Sequence, residues 1–186
     1  IVHENFRFQP WHIKIKKMLE KQLIGIPYQI TFKMRPGDGQ GRFAYLNRQP
    51  YFQKMEKFLI HETGIHFIDL FKYFFGEVKS VASFLFKLNK HIKGEDNGIV
   101  FFEFEKGTKG LFDANRLSDH IAEDRRLTIG DLCLEGEKGT IRLDGDGKIF
   151  FRKFSSNEEK NVKYKWTKRG FAGDSVYIFQ KYLIEQ

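Results

Sequence analysis

Hydrophobic and polar positions divide the chain into a helical first part and a stranded second part. WHIKIKKMLEKQL (11 to 23) carries apolar residues at helical spacing and is followed by Gly25 and Pro27, which together end a helix. A strand is expected at PYQITFKM (27 to 34). The stretch RPGDGQGRF then reads as a loop, because Pro36 and the glycines at 37, 39 and 41 deny it regular structure. From Leu59 to Phe75 apolar residues fill nearly every side of a helix except one seam, and Gly76 supplies the stop. After Val78 the period changes from 3.6 to 2. VKSVASFLFKL, NGIVFFEFE, TKGLFDANRL, RRLTIGDLCLEG, GTIRLDGD and GKIFFRKF read as strands, with tight turns at Lys106-Gly107, EGEKG and GDGK. VKYKW is expected to add an edge strand. DSVYIFQKYL, with Asp174 as N-cap, is expected to form a last helix.

Seven or eight strands with three evident helices exclude a doubly wound parallel sheet, which needs a helix between most strands. The fold class expected is α+β: a large, open, mainly antiparallel sheet with helices on one face. Apolar residues on both sides of strands such as VFFEF, within a total of 21 phenylalanines, predict that the other face is covered by a second subunit. The chain is then a homo-oligomer, a dimer or a tetramer.

The 186 residues, 41% hydrophobic, suffice for one domain spanning 1 to 186. A single cysteine, Cys133, excludes an internal disulfide framework and fits a reducing compartment. No apolar run approaches the ~18 residues of a membrane span and no leader is evident, so a soluble cytoplasmic protein with no membrane partner is expected. The formal charge of +8 raises the question of nucleic acid. However, the 32 basic residues are interleaved with 24 acidic ones, and no nucleic-acid partner is expected. The chain starts IVHENF without a methionine and ends in a helical pattern with no stop. It is read as a fragment of a longer protein.

The seam of the apolar helix holds the candidate chemistry. In LIHETGIHFIDLF (59 to 71), His61 and His66 are five apart and point ~140° from one another on a regular helix, so they do not share a zinc ion. No metal is expected. Glu62, His66, Asp69 and Tyr73 instead fall within a stripe ~60° wide. A carboxylate and an imidazole on one edge of a buried helix suit proton transfer at a cleft, with Glu62 orienting His66. The alternative is a core histidine held by a hydrogen bond.

The segments ENFRFQPW, ETGIHFIDLFKYFFGEV and EGEKGTIRLDGDG resemble the C-terminal domain of the glucose-fructose oxidoreductase and inositol dehydrogenase (Gfo/Idh/MocA) family of NAD(P)-dependent oxidoreductases, and the likeness spans most of the chain. The resemblance implies an open sheet that shapes a substrate site on its helix side and makes subunit contacts with its other face. It implies a preceding Rossmann domain, outside this chain, that binds NAD or NADP through a glycine fingerprint and carries a lysine in a Glu-Lys-Pro motif. Neither motif occurs here. The family's acid, three residues, histidine, then Ile-Asp corresponds to Glu62, His66, Ile68 and Asp69, with glutamate where aspartate is usual. By this likeness His66 and Glu62 are catalytic, His66 binding the reacting hydroxyl or relaying its proton. Asn5 and Asp69 lie near the substrate, and Arg35, Tyr45 and Arg48, beside the glycine-rich loop, hold an oxygen-rich sugar or polyol. The alternative function is a non-catalytic assembly module of the same fold.

Overall fold

The structure, a computed structural model, describes residues 4–166 and 171–186, with only the backbone of Phe171 and Ala172. Helix α1 (Pro10–Glu20) starts with proline at its first turn, where no backbone donor is lost. Strand β1 (Pro27–Met34) follows. The expected loop then runs on to a short 3-10 turn at Pro50–Lys54. The apolar helix begins as a π-helical turn (Leu59–Gly64), in which the Ile65 N–H reaches back to Ile60 O, and continues as α2 (Ile65–Phe75). Gly76, at φ 87°, ends it in a conformation that a side chain would resist. Strands β2 (Val78–Phe86), β3 (Asn97–Phe104), β4 (Lys109–Asn115), β5 (Gly130–Gly136), β6 (Gly139–Leu143), β7 (Ile149–Lys153) and β8 (Glu159–Val162) follow, and then α3 (Ser175–Ile184).

Two expectations are corrected. The edge strand lies one turn earlier than VKYKW, which contributes only Val162 to β8. Asp174 precedes α3 at φ 61°, ψ 23° rather than in extended backbone, and its side chain makes no capping hydrogen bond. No helix among the described residues is long and apolar enough to cross a membrane.

The strands form one eight-stranded sheet in the order β2-β3-β4-β1-β5-β6-β7-β8. Every pair is antiparallel except β1 with β4. Alternation sends Ile30, Phe32 and Met34 of β1, Phe102 and Phe104 of β3, Phe112 and Ala114 of β4 and Leu132 and Leu134 of β5 to the helix side, all nearly or wholly buried. The phenylalanines meet there as a ladder of rings. Phe67 of α2 lies 4.0 Å from Phe32 and 5.0 Å from Phe112 between centroids. Phe71 meets Phe102 at 5.6 Å, and Phe75 meets Phe104 at 5.4 Å. Each such pair adds orientation to the area it buries.

The opposite face divides in two. Near β1, β5 and β6 it is polar, with Thr31, Lys33, Asp131, Cys133 and Arg142 around a shallow depression. Across β2, β3 and β4 it is apolar: Phe84 is 67% exposed and Phe101 48%, paired in register with Ile99 and with Ala82 and Leu111. The apolar load expected on both faces is therefore concentrated on the β2 side of the sheet.

Segment 4–8 is pinned by a buried histidine. His12, on α1, is 2% exposed and donates from Nδ1 to the carbonyl of Phe6 at 2.8 Å, while its Nε2 has no partner among the described residues. Burial pushes its imidazole down to about 3, against a smaller opposing effect of the Phe6 hydrogen bond. The sign follows. Above the unfolded value near 6.5 the neutral ring costs nothing extra, whereas below it the unfolded chain takes up a proton that the folded chain refuses. Stability should therefore fall from about pH 6.5 toward pH 3, with this one group contributing about 1.4 kcal/mol per pH unit. Urea unfolding between pH 7 and 4 checks it. The slope for His12→Leu is expected to be shallower than wild type by one proton, and parallel slopes would contradict the assignment.

Candidate active site

The cavity that receives His66 lies at the end of the sheet where β1 and β4 terminate, between the π-helical turn and the two loops that follow those strands. Its volume is about 130 Å3, and its lining includes Phe6, Asp38, Arg48, Glu62, His66, Arg116 and Arg126. Sequence position explains who arrives. Alternation along the end of β1 carries Met34 and Pro36 to the cavity and sends Arg35 to the other face. There Arg35 donates to the Asp113 carboxylate at 2.7 Å and to the Met34 and Asp113 carbonyls. Arg35 thus lines the opposite face and not the His66 cavity.

His66 is held by residues that the helical count did not select. Its Nδ1 lies 2.6 Å from Glu4 Oε2, and its ring stacks on Phe6 with centroids 4.3 Å apart. A carboxylate acceptor requires the proton on Nδ1, which leaves Nε2 as the nitrogen free to meet a ligand. The orienting carboxylate is therefore Glu4. Glu62, expected in that role, turns instead to Arg116, whose Nη1 lies 3.2 Å from Glu62 Oε2, and also accepts from the Thr63 hydroxyl. Glu62 and His66 both line the cavity, but they are held by different partners: Glu62 by Arg116 and Thr63, His66 by Glu4.

Arg116 is the buried centre of the cavity wall. Only 5% exposed, it donates to both oxygens of Asp38, at 3.2 and 2.7 Å, and to the Thr63 hydroxyl at 2.9 Å. Its guanidinium also faces the rings of Tyr45, Phe52 and Phe58 at 5.1, 5.1 and 4.6 Å. Burial works against its charge, but the hydrogen bond and charge of Asp38, with Glu62 behind them, outweigh it and raise its pKa. Sequence reasoning missed this residue, although a signal was present. Gly110, Phe112, Ala114 and Arg116 alternate in phase, so a cation continues the row of helix-side positions.

The remaining candidates separate. Tyr45 is buried behind Arg116 and does not line the cavity, and burial, opposed by the Arg116 charge, raises the pKa of its phenol. Arg48 is at the cavity, where burial first and the nearby Arg126 charge second depress its pKa. Asp69 is engaged by Arg7, with Nε to Oδ2 at 2.8 Å and a second close contact, and Arg7 in turn lies over the Tyr73 ring at 5.2 Å. Asn5 donates to the Ser175 hydroxyl at 3.0 Å and ties the opening segment to α3. Neither Asp69 nor Asn5 lines the cavity. The polar seam of α2 is real, but most of it docks residues 4–7.

Comparison with known proteins shows the family and the fold. Residues 12–142 match the sequence profile of the GFO/IDH/MocA C-terminal domain. A D-apiose dehydrogenase of Rhizobium rhizogenes is 32% identical over 143 residues, which cover 77% of this chain and 39% of that protein. A D-apiose dehydrogenase of Paraburkholderia graminis is 29% identical over 151 residues, covering 80% and 38%. This chain therefore spans well under half the length of these curated relatives. Among solved structures, an oxidoreductase from Agrobacterium radiobacter in complex with NAD+, L-tartaric acid and magnesium shares the fold with a TM-score of 0.78, at 25% identity over 97% of this chain and 52% of that one. Levoglucosan dehydrogenase, in complex with NADH and levoglucosan, gives a TM-score of 0.71 at 17% identity over 98% and 56%. On the family match and on its own eight-stranded architecture, the chain belongs to the GFO/IDH/MocA family and corresponds to its C-terminal domain.

Proposed function

We propose that this chain is the substrate-binding and oligomerisation domain of an NAD(P)-dependent dehydrogenase acting on a sugar or polyol, in which His66 handles the proton of the reacting hydroxyl. The observation that carries the reading is the pair formed by His66 Nδ1 and Glu4, at 2.6 Å, beside an open cavity. The named relatives, D-apiose and levoglucosan dehydrogenases, support a sugar as substrate.

The described residues offer no glycine-rich turn that opens a helix: α1 starts at Pro10, and the RPGDGQG stretch leads into further turns. In this reading the dinucleotide phosphates are held by a Rossmann domain outside this chain. NAD or NADP, when bound, would supply the hydride acceptor for the alcohol carbon. The chain's own residues act on the oxygen. Nε2 of His66 accepts the hydroxyl proton as the carbonyl forms, and the Glu4 carboxylate stabilises the imidazolium that results. Phe6, stacked on the ring, fixes its plane and excludes water from one side. Arg116 keeps the Asp38 and Glu62 carboxylates in place at the cavity wall.

A second reading, a non-catalytic assembly module, draws on the engagement of Glu62 by Arg116. The His66 experiment separates the two. In the full-length protein, His66→Ala is expected to lower turnover roughly 10²–10⁴-fold, the range for a lost acid-base group, with the melting temperature preserved. Glu4→Gln should lower kcat while leaving the fold intact, and His61→Ala, whose ring is exposed elsewhere on the π-helical turn, should change little. A His66→Ala enzyme that melts early yet keeps its specific activity would sink the assignment.

Arg116→Met is expected to destabilise the protein by on the order of 3 kcal/mol, because it leaves Asp38 and Glu62 without their cation. Urea unfolding at neutral pH checks this, and a loss under 1 kcal/mol would show that the pair is mostly solvated.

For self-association, the exposed Phe84 and Phe101 support a second copy of this chain on the apolar half of the open face. Such an interface should bury more than ~1,000 Å2. Light scattering is expected to show a dimer or tetramer that Phe101→Glu shifts toward monomer, and a wild-type monomer at high concentration would refute it.

A further inference from the structure

The π-helical turn that brings Glu62 and Thr63 to the cavity has no cap of its own. Phe58, the residue before it, has no side-chain acceptor for the first backbone N–H groups, which a helical turn leaves without partners. The acceptor comes from a distant part of the chain. Glu95, in the connection between β2 and β3, accepts through one carboxylate oxygen from the Phe58 N–H at 3.1 Å and the Ile60 N–H at 3.4 Å. Its backbone carbonyl accepts from the Leu59 N–H at 3.0 Å. Successive donors at 58, 59 and 60 thus end on one residue.

The next residue fastens the opposite wall. Asp96 O accepts from the Arg116 N–H at 3.0 Å, and the wholly buried Asp96 carboxylate accepts from the Leu88 and Asn89 N–H groups at 2.7 and 2.8 Å, closing the connection on itself. Residues 95 and 96 therefore tie the turn and the end of β4 to one point. Between them Arg116 reaches Glu62 at 3.2 Å and Thr63 at 2.9 Å. The connection also lies close against the chain before the turn: a Cβ on Gly94 would come within 2.7 Å of Met55 O and 2.8 Å of Phe58 Cβ.

From this geometry we infer that Glu95 is a positioning residue of the active site. It does not line the cavity. Its carboxylate sets the π-helical turn, and through the turn the contact of Glu62 with Arg116 and the placement of His66 two residues beyond. This rests on the dehydrogenase reading above and adds a residue on which the geometry of that reading depends. The turn needs an acceptor at the right reach rather than a charge, because its donors are neutral amides and one oxygen serves both.

The test compares Glu95→Ala, Glu95→Gln and Glu95→Asp in the full-length protein by hydrogen exchange and by steady-state kinetics on the sugar it oxidises fastest. Glu95→Ala is expected to speed exchange of the amides at 58–64 by about tenfold or more while the strands keep their protection. Its kcat should fall about tenfold or more, the effect of a displaced catalytic group, with the KM for NAD(P) unchanged. Glu95→Gln keeps an oxygen at the same reach and should restore both readouts to within about threefold of wild type. Glu95→Asp keeps the charge but is one methylene short, and should resemble Glu95→Ala. Glu159→Ala, whose carboxylate meets Arg142 at the far edge of the sheet, should change neither.

Three results would overturn the proposal: exchange at 58–64 unchanged in Glu95→Ala, exchange faster there with kcat retained, or Glu95→Asp active where Glu95→Gln is not. The last would assign Glu95 an electrostatic role in place of a geometric one. Protection lost over the whole sheet, with early melting and full specific activity, would reduce Glu95 to a general contributor to stability and likewise reject the inference. A wild-type protein that oxidises no sugar or polyol would defeat the dehydrogenase reading, and the exchange data would still decide whether Glu95 holds the turn.

Discussion

The buried charge of Arg116 is the constraint around which this end of the domain is organised. A guanidinium taken out of water is costly unless its donors are met, and here they are met by elements far apart in sequence. Asp38 comes from the loop after β1, and Glu62 and Thr63 come from the π-helical turn. The aromatic residues Tyr45, Phe52 and Phe58 form a small core of their own with Ala44 and Ile92, and this core closes over the cation's face. The long segment between β1 and α2 has little regular structure, so its position depends on this cluster rather than on sheet pairing. Gly39 tightens the same knot: its N–H bonds Arg116 O, and a Cβ there would come within 2.8 Å of the Tyr45 hydroxyl.

Period-2 alternation explains why the sheet was legible in the sequence while the site was only partly so. The strand runs carry enough β-branched and aromatic residues to place seven of the eight strands near their observed bounds. The same rule decides which face a side chain takes. It sends Arg35 away from the cavity and carries Arg116 into it, a distinction that loop composition at 35–43 could not supply. The expectation that both faces are apolar followed from VFFEF, which lies in β3, and fails at β5 and β6, where Asp131, Cys133 and Arg142 occupy the open side. A local motif was extended to a whole face.

The helical count succeeded in finding the seam and misjudged its partners. Glu62, His66, Asp69 and Tyr73 do form a polar edge, but a seam counted along one helix says nothing of what lies against it. Residues 4–7 fill that place: Glu4 meets His66, Phe6 stacks on it, and Arg7 meets Asp69 and covers Tyr73. These contacts join residues 60 to 66 positions apart, and no local pattern encodes them. The backbone at Leu59–Gly64 is π-helical, which the count did not foresee, yet Glu62 and His66 still line one cavity.

That docking has a consequence for how the histidine can work. Glu4 sits at the start of the described chain, and its grip on His66 is only as firm as the hold on residues 4–8. The short turn Phe6–Phe8 is anchored three ways: its Phe6 carbonyl accepts from the buried His12, Arg7 is locked to Asp69, and Phe8 packs on Phe179 of α3 at 5.3 Å, beside the Asn5 to Ser175 bond. The apolar surroundings of His12 leave its Nε2 unpaired, which a hydrocarbon side chain would avoid. His12 thus fixes the segment that aims Glu4 and Phe6 at the imidazole, so the setting of His66 depends on the packing of residues 6 to 12 as much as on its own helix.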